Sequence, residues 1–111
     1  FGMDLEGVQL QGANLSGADL RGAKLRGADL RGARLVGAQL CRADLSDAKL
    51  GPLKIDEDRV IRSDLTRAVL RGANLRGASL PRARLIEADL SGAKLDGADL
   101  GGAEMPAGFR P

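Results

Sequence analysis

Leucine recurs at every fifth residue from Leu5 to Leu50 and again from Leu65 to Leu100. Followed from residue 5 to residue 105, this phase holds Leu in 18 of 21 slots, with Ile55, Val60 and Met105 in the others. Only Leu53 lies off it. Two residues before each slot stands Ala in 16 of 21 cases, the exceptions being Met3, Val8, Leu53, Asp58 and Ser63. Two residues after it, 12 of 20 positions are Gly. The unit is A-x-L-x-x, with two apolar positions and three polar or glycine positions.

A period of five fits neither regular element. An α-helix turns through about 100° per residue, so leucines five apart drift around the cylinder, and each Gly would cost about 1 kcal/mol relative to Ala. In a flat strand a step of five sends successive leucines to opposite faces. The pattern predicts instead a short extended Ala-x-Leu piece, with both side chains on one face, followed by a two-residue turn that Gly enters with positive φ. The chain then coils around its own leucines.

The tandem motifs Ala13-Asn14-Leu15-Ser16-Gly17, Ala18-Asp19-Leu20-Arg21-Gly22 and Ala73-Asn74-Leu75-Arg76-Gly77 resemble those of the pentapeptide repeat family. The resemblance covers about residues 3–105 apart from the middle. It implies an all-β fold, a right-handed quadrilateral β-helix with four pentapeptides per coil, Leu and Ala inside and the other three positions outside. Twenty residues per coil give about five coils. Met3 and Val8 are expected to plug the open first coil, and Phe1 and Phe109 to cap the ends or meet further sequence.

One segment departs from the pattern. From Gly51 to Arg62 the phase persists numerically, with Ile55 and Val60 in Leu slots, but it would point the Asp58 carboxylate into an apolar core at a cost of several kcal/mol. Leu53-Lys54-Ile55 and Val60-Ile61-Arg62 also read as short strands around the polar turn Asp56-Glu57-Asp58-Arg59. A protruding loop near residues 51–62 is therefore expected, between repeat runs 3–50 and 63–105 and before a tail, 106–111, in one domain. If the coil were continuous, Arg42, Arg62 and Arg82 would stack in one column; if ten residues loop out, Arg62 is expected to leave it.

Charge changes the picture little. The 17 basic and 15 acidic residues give a net charge of +2, which declares no nucleic-acid or membrane partner. No apolar run is long enough to span a membrane, and the start at Phe1 suggests a trimmed piece of something longer. The composition suggests a bacterial gene, and the lone Cys41 permits no intramolecular disulfide, so a cytoplasmic setting is expected. Arg67, Arg71, Arg76, Arg82 and Arg84 make the second run basic at first, and Glu87, Asp89, Asp96, Asp99 and Glu104 make it acidic later. Asn14 and Asn74 are expected to bond neighbouring coils.

With no His, Tyr or Trp, one Cys and no phosphate loop, no catalytic, cofactor or metal site is expected, nor a small-molecule substrate. Direct nucleic-acid binding is not expected either, since the body of the rod has no stacking aromatics. Three functions stand: a protein-interaction scaffold with an unknown protein partner, a spacer or end-stacking module forming an end-to-end homodimer, and, implied by the resemblance, a DNA-mimicking protector of DNA gyrase. Positive charge argues against the last. The expected partner-binding residues are Asp56, Glu57, Asp58, Arg59, Arg62, Arg67, Arg71 and Arg82.

Overall fold

A computed structural model describes residues 2–109. Among these no helix occurs, and the backbone is tied together by parallel bridges at the residue between Ala and Leu. Asp4 bridges Lys24, Gln9 bridges Asp29, Asn14 bridges Arg34 and Asp19 bridges Gln39, so one turn of chain takes twenty residues and carries one bridge per pentapeptide. The result is a β-helical solenoid. Between turns the Leu5 N–H donates to Lys24 O (2.7 Å), and the Lys24 N–H donates back to Met3 O (2.7 Å).

Each corner closes with a bond from the Ala N–H to the preceding Leu carbonyl, as from Ala13 to Leu10 (3.0 Å). The third residue of that four-residue turn occupies the Gly slot and takes positive φ, as turns of this kind require. The geometry belongs to the slot and not to the residue. Arg42, Asp47, Arg67, Arg82 and Glu87 stand in the same slot with φ between 58° and 60°.

Asn and Asp before Leu serve the same corners. Asn14 Oδ1 accepts from the Ser16 N–H (3.1 Å) and Asn74 Oδ1 from the Arg76 N–H (3.1 Å). Asp19, Asp44, Asp64, Asp89 and Asp99 accept likewise from the N–H two residues on. This corrects the expectation that the asparagines bond neighbouring coils: a short polar side chain reaches its own turn before it reaches the next one.

Ala and Leu fill the interior. Leu25 to Leu50 and Leu65 to Leu85 are at most 1% exposed at every slot, and each such burial stabilises by about 1.5–3 kcal/mol. Val8 packs against this core, but Met3 remains half exposed, so it does not plug the first coil as expected. Phe109 borders a depression with Leu90, Ala93 and Leu95 at the other end; Phe1 lies outside the described residues.

The bridge interval changes once. Arg34 bridges Asp64, Gln39 Val69, Asp44 Asn74 and Lys49 Ser79, all thirty residues apart, after which Asp64 bridges Arg84 at twenty again. Ten residues, 52–61, therefore leave the ladder. Gly51 stays in it, its carbonyl accepting from the Gly32 N–H (3.1 Å), and Ser63 resumes it in an Ala slot. Strand β1 (Leu53–Lys54) pairs antiparallel with β2 (Val60–Ile61), with Leu53 opposite Ile61 and Lys54 opposite Val60. Ile55 and Val60, which the five-residue phase counted among the Leu slots, are 45% and 47% exposed. An excursion of two repeat lengths preserves the phase without preserving the coil.

Candidate functional site

The hairpin owes its seat to what lies beneath it. Gly32 has no Cβ; one placed there would lie 2.6 Å from the Leu53 Cβ, so the corner leaves room for β1 to cross close over the rod. Ser63 seals the gap: its hydroxyl accepts from the Gly32 N–H (3.1 Å) and lies 3.1 Å from Leu30 O and 3.2 Å from Gly51 O, its alternative acceptors. At the tip, Asp56 Oδ1 accepts from the N–H groups of Asp58 and Arg59, both at 2.9 Å, and Asp56 Oδ2 from Arg59 Nε (2.8 Å). The Arg59 guanidinium holds the Asp56 carboxyl below the usual carboxylate range.

Among the described residues, the exposed large hydrophobic side chains are Met3, Ile55, Val60 and Ile61, and three of these four stand on the hairpin. Beside β2 runs a groove of about 520 Å³ lined by Val60, Ile61, Arg62, Arg34, Asp64, Arg84 and Glu104. Its floor is the ladder column Arg34–Asp64–Arg84–Glu104, alternating in sign. Arg84 pairs with Asp64 (3.6 Å), and Arg62 with Glu104 (2.8 Å) while donating to Arg82 O (2.6 Å). Arg34 has no ion pair among the described residues. Burial pushes the Asp64 carboxyl up, but hydrogen bonds from the Thr66 hydroxyl and N–H, together with the nearby Arg84 and Arg34 guanidiniums, outweigh it and leave the group lowered.

The expected partner-binding residues therefore divide. Asp56, Glu57, Asp58 and Arg59 share the exposed hairpin tip, and Arg62 stands at its base in the groove. Arg67 and Arg71 do not join them, pairing with Glu87 (3.5 Å) and Asp89 (2.8 Å), and Arg82 holds an ordinary corner, with its carbonyl accepting from Arg62. The column expected to lose Arg62 loses Arg42 instead, because the excursion precedes Arg62. Arg42 donates its N–H to Arg71 O, whereas Arg62 stays beside Arg82.

Three arginines of the basic half pair with carboxylates of the acidic half about one turn on, Arg76 on Asp96 (3.3 Å) repeating the pattern of Arg67 on Glu87 and Arg71 on Asp89. What looks like polarity along the chain is pairing across it. Ile55, Val60 and Ile61 are not among the expected partner-binding residues, the first two because the leucine phase absorbs them and Ile61 because it reads only as strand, and neither are Arg34, Arg84, Asp64 and Glu104. The signal that finds the column is charge at a lag of twenty or thirty residues. A second groove, about 470 Å³, is lined by Arg21, Cys41, Arg42, Arg71, Gly72 and Ser91. Among the described residues no group of His, Cys, Asp or Glu is arranged to hold a metal ion, and no helix is long and apolar enough to cross a membrane.

Comparison with known proteins follows the ladder. The Pentapeptide repeats family model matches residues 4–38, 23–51 and 63–102, eight copies in all, and leaves out the hairpin. Among solved structures, HetL, a pentapeptide repeat protein involved in heterocyst differentiation regulation from the cyanobacterium Nostoc sp. strain PCC 7120, is 32% identical over all of this chain and 63% of its own, with a TM-score of 0.49. A pentapeptide repeat protein from the Arabidopsis thaliana thylakoid lumen is 27% identical over 93% of this chain and 65% of its own, with a TM-score of 0.45. This chain thus spans under two thirds of the length of either. QnrB1, a plasmid-mediated fluoroquinolone resistance protein, is 20% identical over 92% of this chain and 60% of its own, with a TM-score of 0.44. Among curated proteins no sequence matches. The repeat motif, the twenty-residue ladder and the family match together make this chain a member of the pentapeptide repeat family.

Proposed function

We propose that this chain is a non-enzymatic protein-interaction scaffold in which residues 52–61 are the recognition element and the solenoid is their rigid mount. The scaffold is a single domain, a right-handed four-sided rod of about five coils at twenty residues each. One observation carries the reading: three of the four large apolar side chains left exposed among the described residues, Ile55, Val60 and Ile61, are gathered on the hairpin outside the ladder. A solenoid that needed only to fold has no use for three aliphatic groups in water, and such clustering marks contact surfaces.

The rod faces support the same division of labour. Three of their arginines are engaged by carboxylates of adjacent turns, at Arg67–Glu87, Arg71–Asp89 and Arg76–Asp96, so these three offer a partner little unpaired charge. The same pairing favours the spacer as the second reading, with the hairpin a tolerated insertion. It disfavours gyrase protection by DNA mimicry, which would need a surplus of unpaired acids.

Cross-linking capture tests the proposal by comparing the intact chain with a variant lacking residues 52–61. A partner taken by the intact chain alone supports the hairpin as recognition element. Equal capture by both transfers recognition to the rod, and capture by neither favours the spacer.

A further inference from the structure

We propose that the outer edge of β2 is the dyad of a homodimer, in which the acidic hairpin tip of each copy enters the arginine-lined groove of the other. This rests on the hairpin being a recognition element and names its occupant as a second copy of the chain.

The backbone supplies the edge. Hydrogen-bonded and non-hydrogen-bonded pairs alternate along an antiparallel ladder. The Ile55 N–H donates to Arg59 O (2.9 Å), which makes Leu53 and Ile61 the next hydrogen-bonded pair and Lys54 and Val60 the intervening non-bonded one. The N–H and C=O of Val60 consequently point away from β1, along the side where the groove lies. A two-stranded hairpin with a free edge and exposed aliphatic side chains is an incomplete sheet, and adding a strand completes it.

The side chains select a second copy. Pairing β2 with itself about a twofold axis at Val60 satisfies both outward groups reciprocally and sets Val60 against its own counterpart. Residues equidistant from Val60 then oppose one another, so Asp58 faces Arg62 of the second copy, and Arg59 faces its Ile61. Asp58 and Glu57 are exposed and have no ion pair among the described residues, while the groove holds three guanidiniums, Arg34, Arg62 and Arg84, against two carboxylates, Asp64 and Glu104. The surplus cation of the groove and the free acids of the tip belong to one molecule, and an isologous dimer requires such self-complementarity. A contact built on two-residue strands is small, so the dimer is weak and reversible.

Sedimentation equilibrium of the intact chain, from about 1 μM to 1 mM, tests this, because that range brackets weak self-association. The expected result is a monomer–dimer equilibrium weakened at least tenfold by Asp58→Lys and by Arg62→Glu separately, and recovered when the two variants are mixed, since each reversed charge then meets its reversed counterpart. Val60→Pro, which removes the outward N–H and the Val60 side chain but no hydrogen bond to β1, is expected to weaken it comparably while leaving the circular dichroism spectrum unchanged. A monomer throughout, a dimer indifferent to Asp58→Lys, or a mixture that fails to recover overturns the proposal. A monomer whose hairpin still captures a different protein overturns this inference alone. A hairpin-independent dimer without hairpin-dependent capture overturns both.

Discussion

Arg34 forms a parallel bridge with Asp64, thirty residues further along the chain, while Asp64 itself bridges Arg84 at a separation of twenty. The ladder thus closes over the departure of ten residues as though they were absent. Two small features make this work. Gly51 and Ser63 reach the Gly32 N–H at 3.1 Å each, so the strand end and the strand start share one donor, and Ser63 is small enough for an Ala slot while its hydroxyl remains satisfied.

Leu40 is wholly buried in the leucine column, between turns that cannot collapse inward without breaking their bridges. Leu40→Ala is expected to lower unfolding stability by about 2–5 kcal/mol, as deletion of buried aliphatic groups does. Arg26→Ala, at a corner whose pairing with Asp47 is a loose 4.0 Å, is expected to change it by less than about 0.5 kcal/mol. Urea denaturation of both variants checks the contrast. Equal effects would mean that the Leu slots are not the core.

Gly17 and Gly32 both take positive φ, +71° and +67°, but only Gly32 lies under the hairpin. Gly17→Ala meets nothing within 4 Å, so its cost is the conformational one, about 1–2 kcal/mol. Gly32→Ala adds a contact at 2.6 Å to the Leu53 Cβ and is expected to cost more and to displace the hairpin. Thermal melts rank the two, and amide exchange at Leu53 and Ile61 reports the displacement. The reverse change, Arg42→Gly at φ 59°, is expected to stabilise by about 0.5–1 kcal/mol.

The solenoid was legible because its physics is local and repeated: Ala-x-Leu fixes the inward face, and the turn fixes the Gly slot. Asp58 rightly argued against a continuous coil, since a lone carboxylate in that slot has no partner. The candidate site was less legible. Its groove comes from Arg34, Asp64, Arg84 and Glu104 meeting across turns, and their register depends on an insertion whose length is invisible to a five-residue phase. Arg67 and Arg71 look like a basic surface in one dimension and are neutralised by Glu87 and Asp89 in three.

Acid is expected to weaken the fold. The Arg31 guanidinium bonded to Asp29, the Ser46 hydroxyl bonded to Asp44, and the Ser91 hydroxyl with Arg71 on Asp89 hold these carboxyls below their ordinary range. Because the folded values lie below the unfolded value of about 3.9, the unfolded chain binds protons more readily. Their stabilisation is complete above that value and is lost as pH falls through the lowered folded ones. Melting temperature is expected to be nearly level from pH 7 to about 5 and to decline below about 4. A melting temperature that rises on acidification would contradict this assignment.

The ladder's independence of the hairpin is tested most directly by thermal unfolding of the variant in which Gly51 joins Arg62. Without residues 52–61 every bridge interval becomes twenty, Ser63 keeps its slot, and three exposed aliphatic residues disappear. The expected result is a cooperative transition at or above the melting temperature of the intact chain, with the β circular dichroism signal retained. A variant that fails to fold would contradict it, because the segment would then belong to the coil it is held to stand outside.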